Sequence, residues 1–392
     1  MTVKLHKQNP IRSLFDYSGH FLIPKTFPHM HRYILLLCIF IISGCKKKDD
    51  PSPISISDRQ LVLNNIGQNV AIRSFLDLQT AANSLRSYAN TYIDDSTNMQ
   101  KLLVLQRRWL DVAVAWKHAS LYSFGPIENE LLRSKIYTPA NITGIESVIS
   151  QGKPEFDVSY MNTLSPALKG LSAIEYLIYG SRDENNNAVL NSFESGGFQR
   201  TAYLRALCID LLDQANLLMY KWSTGGEGYL TKFVASDGSG RSSSISMVAE
   251  SMIEFISLIK NERIGGPKGV KNAGVPQPEL VDGKYSDESV VLLRAEVQSL
   301  HNSFTGVKMG TTAINGINFL LDKAGAKSGD EMLSKKITDL FQSIYSKMEV
   351  ITVPLSQAVV TRPAQVSELY GEVDKLEVLM KDDMMKNLYL KD

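Results

Sequence analysis

Cysteine and histidine are scarce in this chain, and their scarcity excludes several kinds of site. There are three cysteines among 392 residues: Cys38, Cys45 and Cys208. Neither a disulfide framework nor a cysteine-rich metal centre can be built from them. Four of the six histidines precede residue 32, and only His118 and His301 occur later. A site with many histidine ligands is therefore excluded for the body of the chain.

The chain also lacks an excess of either charge. Lysine and arginine total 42 against 41 for aspartate and glutamate, which gives a net charge of +1. A basic surface for nucleic acid is not indicated, and no nucleic-acid partner is predicted. Phosphate-binding loops, dinucleotide glycine motifs and the zinc-protease HExxH pattern are absent as well. What remains is a chain that is 44% hydrophobic, enough for a large core.

The N-terminal segment is interpreted as a targeting sequence. Residues 33–42 form an apolar run that is too short to span a membrane comfortably. The run ends in Ile42-Ser43-Gly44-Cys45, which resembles a bacterial lipobox. We therefore predict a signal peptide at residues 1–44, with Met30 as the favoured start, and lipid attachment at Cys45. An uncleaved helical anchor is the alternative.

A charged, proline-containing tether is predicted after the lipidated cysteine, at residues 45–57. Its run of three lysines and two aspartates resembles an export signal of surface lipoproteins, and a plain charged spacer explains it equally well. These features together predict an outer-membrane lipoprotein, periplasmic or surface-exposed, that is attached to the membrane through its lipid.

The body of the chain, residues 58–388, is predicted to be all-α. Apolar residues recur at helical spacing, and no alternating stretch of useful length indicates a strand. We expect two packed helical halves, approximately 58–235 and 240–388, with residues 125–160 irregular. The predicted helices cover 58–93, 102–122, 165–179, 198–222, 246–262, 290–304, 313–324, 330–350 and 363–388.

One carboxylate stands out within an apolar helix. In the stretch from Lys169 to Gly180, Glu175 lies on the same helical face as Leu171 and Ile178. A carboxylate in that position needs a hydrogen-bond donor, a counter-charge or a metal, because an unpaired buried charge is expensive. A core glutamate paired with arginine or with the backbone explains the pattern as well as a ligand does.

The other chemically distinctive residues are given structural roles. His118 and His301 are interpreted as structural or solvated histidines. Cys208 is expected to be a small buried residue, and the group Met380, Met384 and Met385 is expected to lie in a core or an interface. No catalytic residue is assigned.

Three stretches resemble the imelysin-like family, which includes imelysin peptidases and iron-regulated protein A. The first runs from Trp116 to the Phe-Gly-Pro at 124–126, and the second is the helix 170–180, which is similar to the family's GxHxxE helix. The third, at 261–286, resembles an ER…P…PE…YS loop. Their order and spacing agree with the family over roughly residues 60–388.

The resemblance implies a fold and a function. The fold would be two packed helical bundles with a cleft between them, and the function would be in iron or haem acquisition. The family's HxxE pair implies a metal site, but Ser172 stands at the histidine position here and Ser120 at a further glutamate position. The candidate ligand-binding residues are therefore Glu175 and Ser172, with His118, Glu262, Glu279 and Tyr285 as possible replacement partners.

Three functions are compatible with these observations. The leading hypothesis is a non-catalytic, lipid-anchored envelope protein that binds iron, zinc or haem, or a partner protein of iron or haem uptake. The second is a metallopeptidase of the family. The third is a helical scaffold that docks a protein partner and in which Glu175 is purely structural.

Overall fold

The computed structural model describes residues 52–153, 155–182, 184–308 and 315–390. The predicted signal peptide and the predicted lipidation site, Cys45, lie outside these ranges. The segment Ser52–Asp392 forms one compact unit. Among the described helices, none combines the length and the apolar character that crossing a bilayer requires.

The first part of the fold is built around three long helices. Its α-helices are α1 (Ile56–Asn65), α2 (Ile72–Ile93), α3 (Met99–Ala119), α4 (Leu132–Ile136), α5 (Ile142–Ser150), α6 (Val158–Thr163), α7 (Gly170–Tyr179), α8 (Asn186–Trp222) and α9 (Tyr229–Ala235). A π-helical turn, Ile66–Ala71, joins α1 to α2, and 3-10 turns occupy Ser120–Tyr122, Gly125–Glu130 and Pro166–Leu168. Helix α2 packs against both α3 and α8.

The second part contains the remaining helices and a minimal hairpin. Its α-helices are α10 (Ser244–Leu258), α11 (Gly265–Lys268), α12 (Ser289–Thr305), α13 (Ile317–Lys323), α14 (Leu333–Glu349), α15 (Leu355–Thr361), α16 (Pro363–Val378) and α17 (Met385–Asn387). Two π-helical turns, Ile259–Ile264 and Leu379–Met384, follow α10 and α16, and a 3-10 turn occupies Pro278–Leu280. The strands β1 (Lys327–Ser328) and β2 (Glu331–Met332) pair antiparallel, with Lys327 opposite Met332.

The all-α prediction is confirmed, with local corrections. The segment 125–160 is not irregular, because side-chain caps start short helices within it: Asn141 accepts a hydrogen bond from the Gly144 amide, and Asp157 accepts one from the Tyr160 amide. Helix α8 begins twelve residues before the predicted start at 198, and the positive φ of Gly197 marks a kink inside it. The two-residue strands were not predicted.

The core joins both parts of the fold. Trp222 contacts Phe75, Phe124 and Phe233 at ring-centroid distances of 5.3, 5.6 and 5.3 Å, which ties α8 to α2 and α9. Helix α12 packs against α3, so the second part rests directly on the first. Cys208, Met380 and Met384 are buried, in agreement with their predicted structural roles. The boundary between halves near 235–240 stays a prediction.

Candidate functional site

Helix α7 is held in place at both ends. At its start, Gly170 has φ +72°, and a Cβ there would lie 2.5 Å from the carbonyl oxygen of Ile136, so only glycine fits. One residue later, Trp109 Nε1 donates a 2.9 Å hydrogen bond to the carbonyl of Leu171. Near the other end, Gln106 Nε2 donates to the carbonyl of Ile178 at 2.8 Å. Helix α3 therefore fixes both the position and the rotation of α7.

Glu175 is buried and is bound by a loop from the second part of the fold. Its side chain exposes only 2% of its surface. Oε1 accepts hydrogen bonds from the amides of Tyr285 and Ser286, at 3.1 and 2.9 Å, and from Ser286 Oγ at 2.9 Å. None of the described residues donates to Oε2. The loop at 283–287 is thus clamped to one oxygen of the carboxyl group, and the other oxygen has no donor among the described residues.

Burial makes the Glu175 carboxyl group unusually weakly acidic. Burial raises its pKa to about 7, because the charged form loses hydration. The hydrogen bonds from Ser286 and Tyr285 oppose this shift, and the nearby Asp282 carboxylate adds to it. Near neutral pH a substantial fraction of Glu175 is therefore protonated and can donate a hydrogen bond as well as accept one.

A buried ion-pair network lies in the same cavity. Lys117 Nζ donates to Glu296 Oε1 at 2.8 Å and also to Asp282 Oδ2. Arg263 Nε lies 3.0 Å from Glu296 Oε1 and 3.6 Å from Asp282 Oδ2. The Tyr137 hydroxyl donates to Asp282 Oδ1, and its ring lies under both cations. Two cations and two carboxylates therefore neutralise each other inside the protein.

The pKa values of Asp282, Arg263 and Tyr137 are shifted by burial and by the charges around them. Burial alone would raise the pKa of Asp282, but Lys117 and Arg263 outweigh it and hold that pKa well below its usual value. Burial would lower the pKa of Arg263, but Glu296 and Asp282 raise it instead. Burial, reinforced by Asp282, raises the pKa of Tyr137 well above its usual value. These groups keep fixed protonation states across the physiological range.

These side chains surround a cavity of about 400 Å³. That volume is within the range of roughly 300–1,000 Å³ typical of small-molecule sites. One wall comes from the first part of the fold and the other from the second. The lining residues are Trp116, Lys117, Ser120, Arg133, Tyr137, Pro139, Ala140, Ser172, Glu175, Phe255, Leu258, Arg263, Glu279, Leu280, Val281, Asp282, Gly283, Lys284, Tyr285 and Glu296.

Four of the six candidate residues named from the sequence lie together in this cavity: Ser172, Glu175, Glu279 and Tyr285. Ser172 is buried beside Glu175 on α7, and Glu279 is exposed at the cavity wall. The ring of Tyr285 packs on Tyr176 with centroids 5.8 Å apart, and its buried hydroxyl has no partner among the described residues. Whether these side chains bind a ligand stays a prediction.

The structure does not bring the other two candidates, Glu262 and His118, into the cavity. Glu262 is exposed and pairs with Lys271 at 2.8 Å, because the π-helical turn presents its neighbour Arg263 to the cavity instead. His118 follows Lys117 on α3, is half-buried and does not line the cavity. Burial, together with the charge of Lys308, lowers the pKa of His118 to about 4, so the imidazole is neutral.

The sequence interpretation did not identify the charged residues that dominate the cavity. For Lys117 a signal was present: it lies four residues after Ala113, an apolar residue of the same helix, so the two side chains share a face of α3. For Asp282 there was none, because it lies in an aperiodic loop. Arg263 belongs to the third family-like stretch but was not selected as a site residue.

The cavity residues do not fit a bare metal ion. Glu175 stands at the glutamate of the HxxE pair that the resemblance implies, and three hydrogen bonds already occupy its Oε1. Asp282 and Glu296 are neutralised by Lys117 and Arg263, and Ser172 is a poor ligand for iron or zinc. Across the described ranges, no group of three or more histidine, cysteine or acidic side chains is placed to hold a metal.

Comparisons with known proteins agree with this fold. The model of the family described as Imelysin (Peptidase_M75) matches residues 71–381. A search of curated proteins finds no match. An imelysin-like protein from Psychrobacter arcticum aligns with TM-score 0.70 at 15% identity, over 86% of this chain and 98% of that one. A proposed iron-regulated protein A precursor from Parabacteroides distasonis aligns with TM-score 0.68 at 15% identity, over 85% and 96%. At this identity the two likenesses establish the fold alone.

Proposed function

The chain belongs to the Imelysin family, and on that premise we propose that it is a non-catalytic binding protein of the bacterial envelope. It holds a ligand in the cavity around Glu175 and takes part in iron or haem acquisition. The observation that carries this proposal is the cavity itself. It lies between the two parts of the fold, and it combines a free carboxyl oxygen with fixed charges.

The chemistry of the cavity favours a ligand that brings its own metal coordination. A bare iron or zinc ion needs several anionic or imidazole donors from the protein. Inside this cavity the one buried carboxyl oxygen without a described partner is Oε2 of Glu175, and Glu279 adds an exposed carboxylate at the wall. Asp282 and Glu296 are already neutralised by Lys117 and Arg263. Haem or a chelated iron ion arrives with its donors in place and needs only shape, hydrogen bonds and charge from the protein. We therefore propose haem or an iron chelate as the ligand class.

Equilibrium dialysis tests the ligand directly. The purified protein is dialysed against ferric iron, zinc and haem in separate experiments, with Glu175→Ala as the cavity variant and Glu194→Gln, an exposed change on α8, as the matched control. We expect retention of haem, weakened in Glu175→Ala and unchanged in Glu194→Gln, and no stoichiometric retention of the free ions. Failure to retain any of the three would refute the iron-related role.

Two further measurements separate the alternatives. Cleavage of a protein substrate that is sensitive to chelators and lost in Glu175→Ala would replace the proposal with a metallopeptidase. The second measurement is the capture of a partner protein. If that partner binds Glu175→Gln as tightly as it binds the unchanged protein, the result would favour a helical scaffold.

The envelope location is proposed from the lipobox-like segment. Acyl chains on the thiol of Cys45 would anchor the protein to the outer membrane by burying methylene groups. Mass spectrometry of the membrane fraction should find Cys45 as the acylated N-terminal residue. An unmodified Cys45 in the soluble fraction would refute this part of the proposal.

A further inference from the structure

The guanidinium group of Arg263 is anchored in the cavity through only one of its three nitrogens. Nε donates to both oxygens of Glu296, at 3.0 and 3.3 Å, and the group lies 5.6 Å from the ring centroid of Tyr137. The terminal amino groups donate no hydrogen bond to any described residue, although Arg263 lines the cavity with 20% of its side chain exposed. A rigidly held fork of N–H donors is therefore available to a ligand.

Two further cations that line the same cavity have no ion-pair partner among the residues that the structure describes. Arg133 donates a long hydrogen bond of 3.4 Å to the carbonyl of Ser120, and Lys284 lies over the ring of Tyr285 at 4.8 Å. Neither is within ion-pair distance of a carboxylate in the described part of the chain. The remaining unpaired acids of the cavity are Glu279, which is exposed, and Glu175. With Glu175 protonated, the cavity carries an excess of positive charge.

Two other groups that line the cavity also have unused hydrogen-bonding capacity. The buried hydroxyl of Tyr285 has no partner among the described residues. Oε2 of Glu175 accepts no hydrogen bond from the described residues, and the protonated carboxyl group is able to donate one to a ligand. Asp282 contributes to keeping Glu175 protonated, and it is itself held ionised by Lys117 and Arg263. A ligand that enters the cavity therefore meets donors on several sides.

We propose that this cavity binds a carboxylate group of its ligand, with the terminal amino groups of Arg263 as the principal contact. A planar guanidinium matches the two oxygens of a carboxylate, and such charge-assisted pairs are among the stronger hydrogen bonds in proteins. The inference rests on the proposed function and specifies its ligand: a haem or chelate that carries a free carboxylate. Arg133 and Lys284 attract the same group, and Tyr285 and Glu175 hydrogen-bond to it.

Three probes test the inference on the full-length protein. Haem carries two carboxylates, haem dimethyl ester has the same ring without them, and citrate has carboxylates without a ring. Affinities are measured by absorbance titration for the porphyrins and by calorimetry for citrate. We expect haem to bind at least about tenfold more tightly than its diester, the effect of losing one charge-assisted hydrogen bond, and citrate to compete with haem.

Each outcome bears on a different claim. Equal affinities for haem and its diester would overturn the carboxylate inference and leave the proposed function intact. Binding of citrate without either porphyrin would support the inference and refute haem as the ligand. Binding of none of the three would refute both.

Variants locate the contact. Arg263→Lys keeps the charge beside Glu296 but removes the fork, so it should weaken haem binding at least about tenfold and leave diester binding unchanged. Arg133→Gln, which changes an exposed residue, should weaken haem binding roughly two- to fivefold. Arg86→Lys on the exposed surface of α2 is the matched control and should change neither affinity. Equal losses for haem and diester in Arg263→Lys would indicate a purely structural role.

Discussion

Replacing Glu175 with glutamine should make the protein more stable at alkaline pH, although it alters a buried residue. Glutamine has nearly the shape of the protonated acid, and its carbonyl oxygen can accept the hydrogen bonds that Tyr285 and Ser286 donate to Oε1. Glutamine carries no charge, so its burial does not remove hydration from a charged group. The substitution therefore preserves the clamp on the loop and removes only the cost of ionising a buried carboxyl group.

The magnitude follows from the shift in pKa. Burial raises the pKa of Glu175 from 4.5 to about 7, and each pKa unit corresponds to about 1.4 kcal/mol. Because the pKa is raised in the folded state, this carboxyl group favours folding below pH 4.5 and loses that contribution as the pH rises through about 7. Relative to Glu175→Gln, the unchanged protein should lose about 3 kcal/mol of unfolding free energy between acidic pH and pH 8.5.

Urea unfolding followed by tryptophan fluorescence at several pH values between 4 and 8.5 measures this difference. The control is Glu194→Gln, which replaces an exposed glutamate on α8 and should show no pH-dependent difference. A difference between Glu175→Gln and the unchanged protein that stays constant across this range would refute the reasoning. The reasoning would also be refuted if the stability of Glu175→Gln relative to the unchanged protein were lower at pH 8.5 than at pH 5.

Three other perturbations have predictable outcomes. Lys117→Met leaves Asp282 and Glu296 with one counter-charge between them. Thermal unfolding should therefore show that the free energy of unfolding falls by about 3–5 kcal/mol, and a fall below about 1 kcal/mol would contradict the buried network. Trp109→Phe removes the donor to the carbonyl of Leu171. Chemical denaturation should show that the free energy of unfolding falls by about 1–3 kcal/mol, whereas an unchanged denaturation midpoint would show that α7 does not depend on this hydrogen bond. Incubation with a strong chelator should leave the melting temperature unchanged, since no metal-ligating group is formed by the described residues, and a clear decrease would reveal a structural metal.

The fold was largely predictable from the sequence because its signals are local. Apolar spacing located the long helices, and the Asn98 side chain caps the start of α3. The errors arose where local signals are weak. The short helices within 125–160 depend on single capping residues, and the break in periodicity at Gly197 concealed the first turns of α8.

The candidate site was only partly predictable, because its chemistry comes from residues distant in sequence. Glu175 was identifiable as a carboxylate on an apolar helical face. Its donors lie more than a hundred residues away, and two of the three are the main-chain amides of Tyr285 and Ser286, which no side-chain pattern reveals. The pairing of Lys117 with Asp282 likewise depends on tertiary packing, which periodicity within one segment does not encode.

The π-helical turn Ile259–Ile264 makes the spacing of residues as important here as their identity. It directs Arg263 into the cavity while Glu262 faces solvent. Deleting one residue of this turn before Arg263 would restore ordinary helical geometry and rotate the guanidinium group away from the cavity. Every side chain of the site would still be present in the sequence. In evolution, a one-residue deletion here would abolish the site as effectively as replacing the arginine. A comparison of sequences that checks only whether the site residues are still present would not detect this loss.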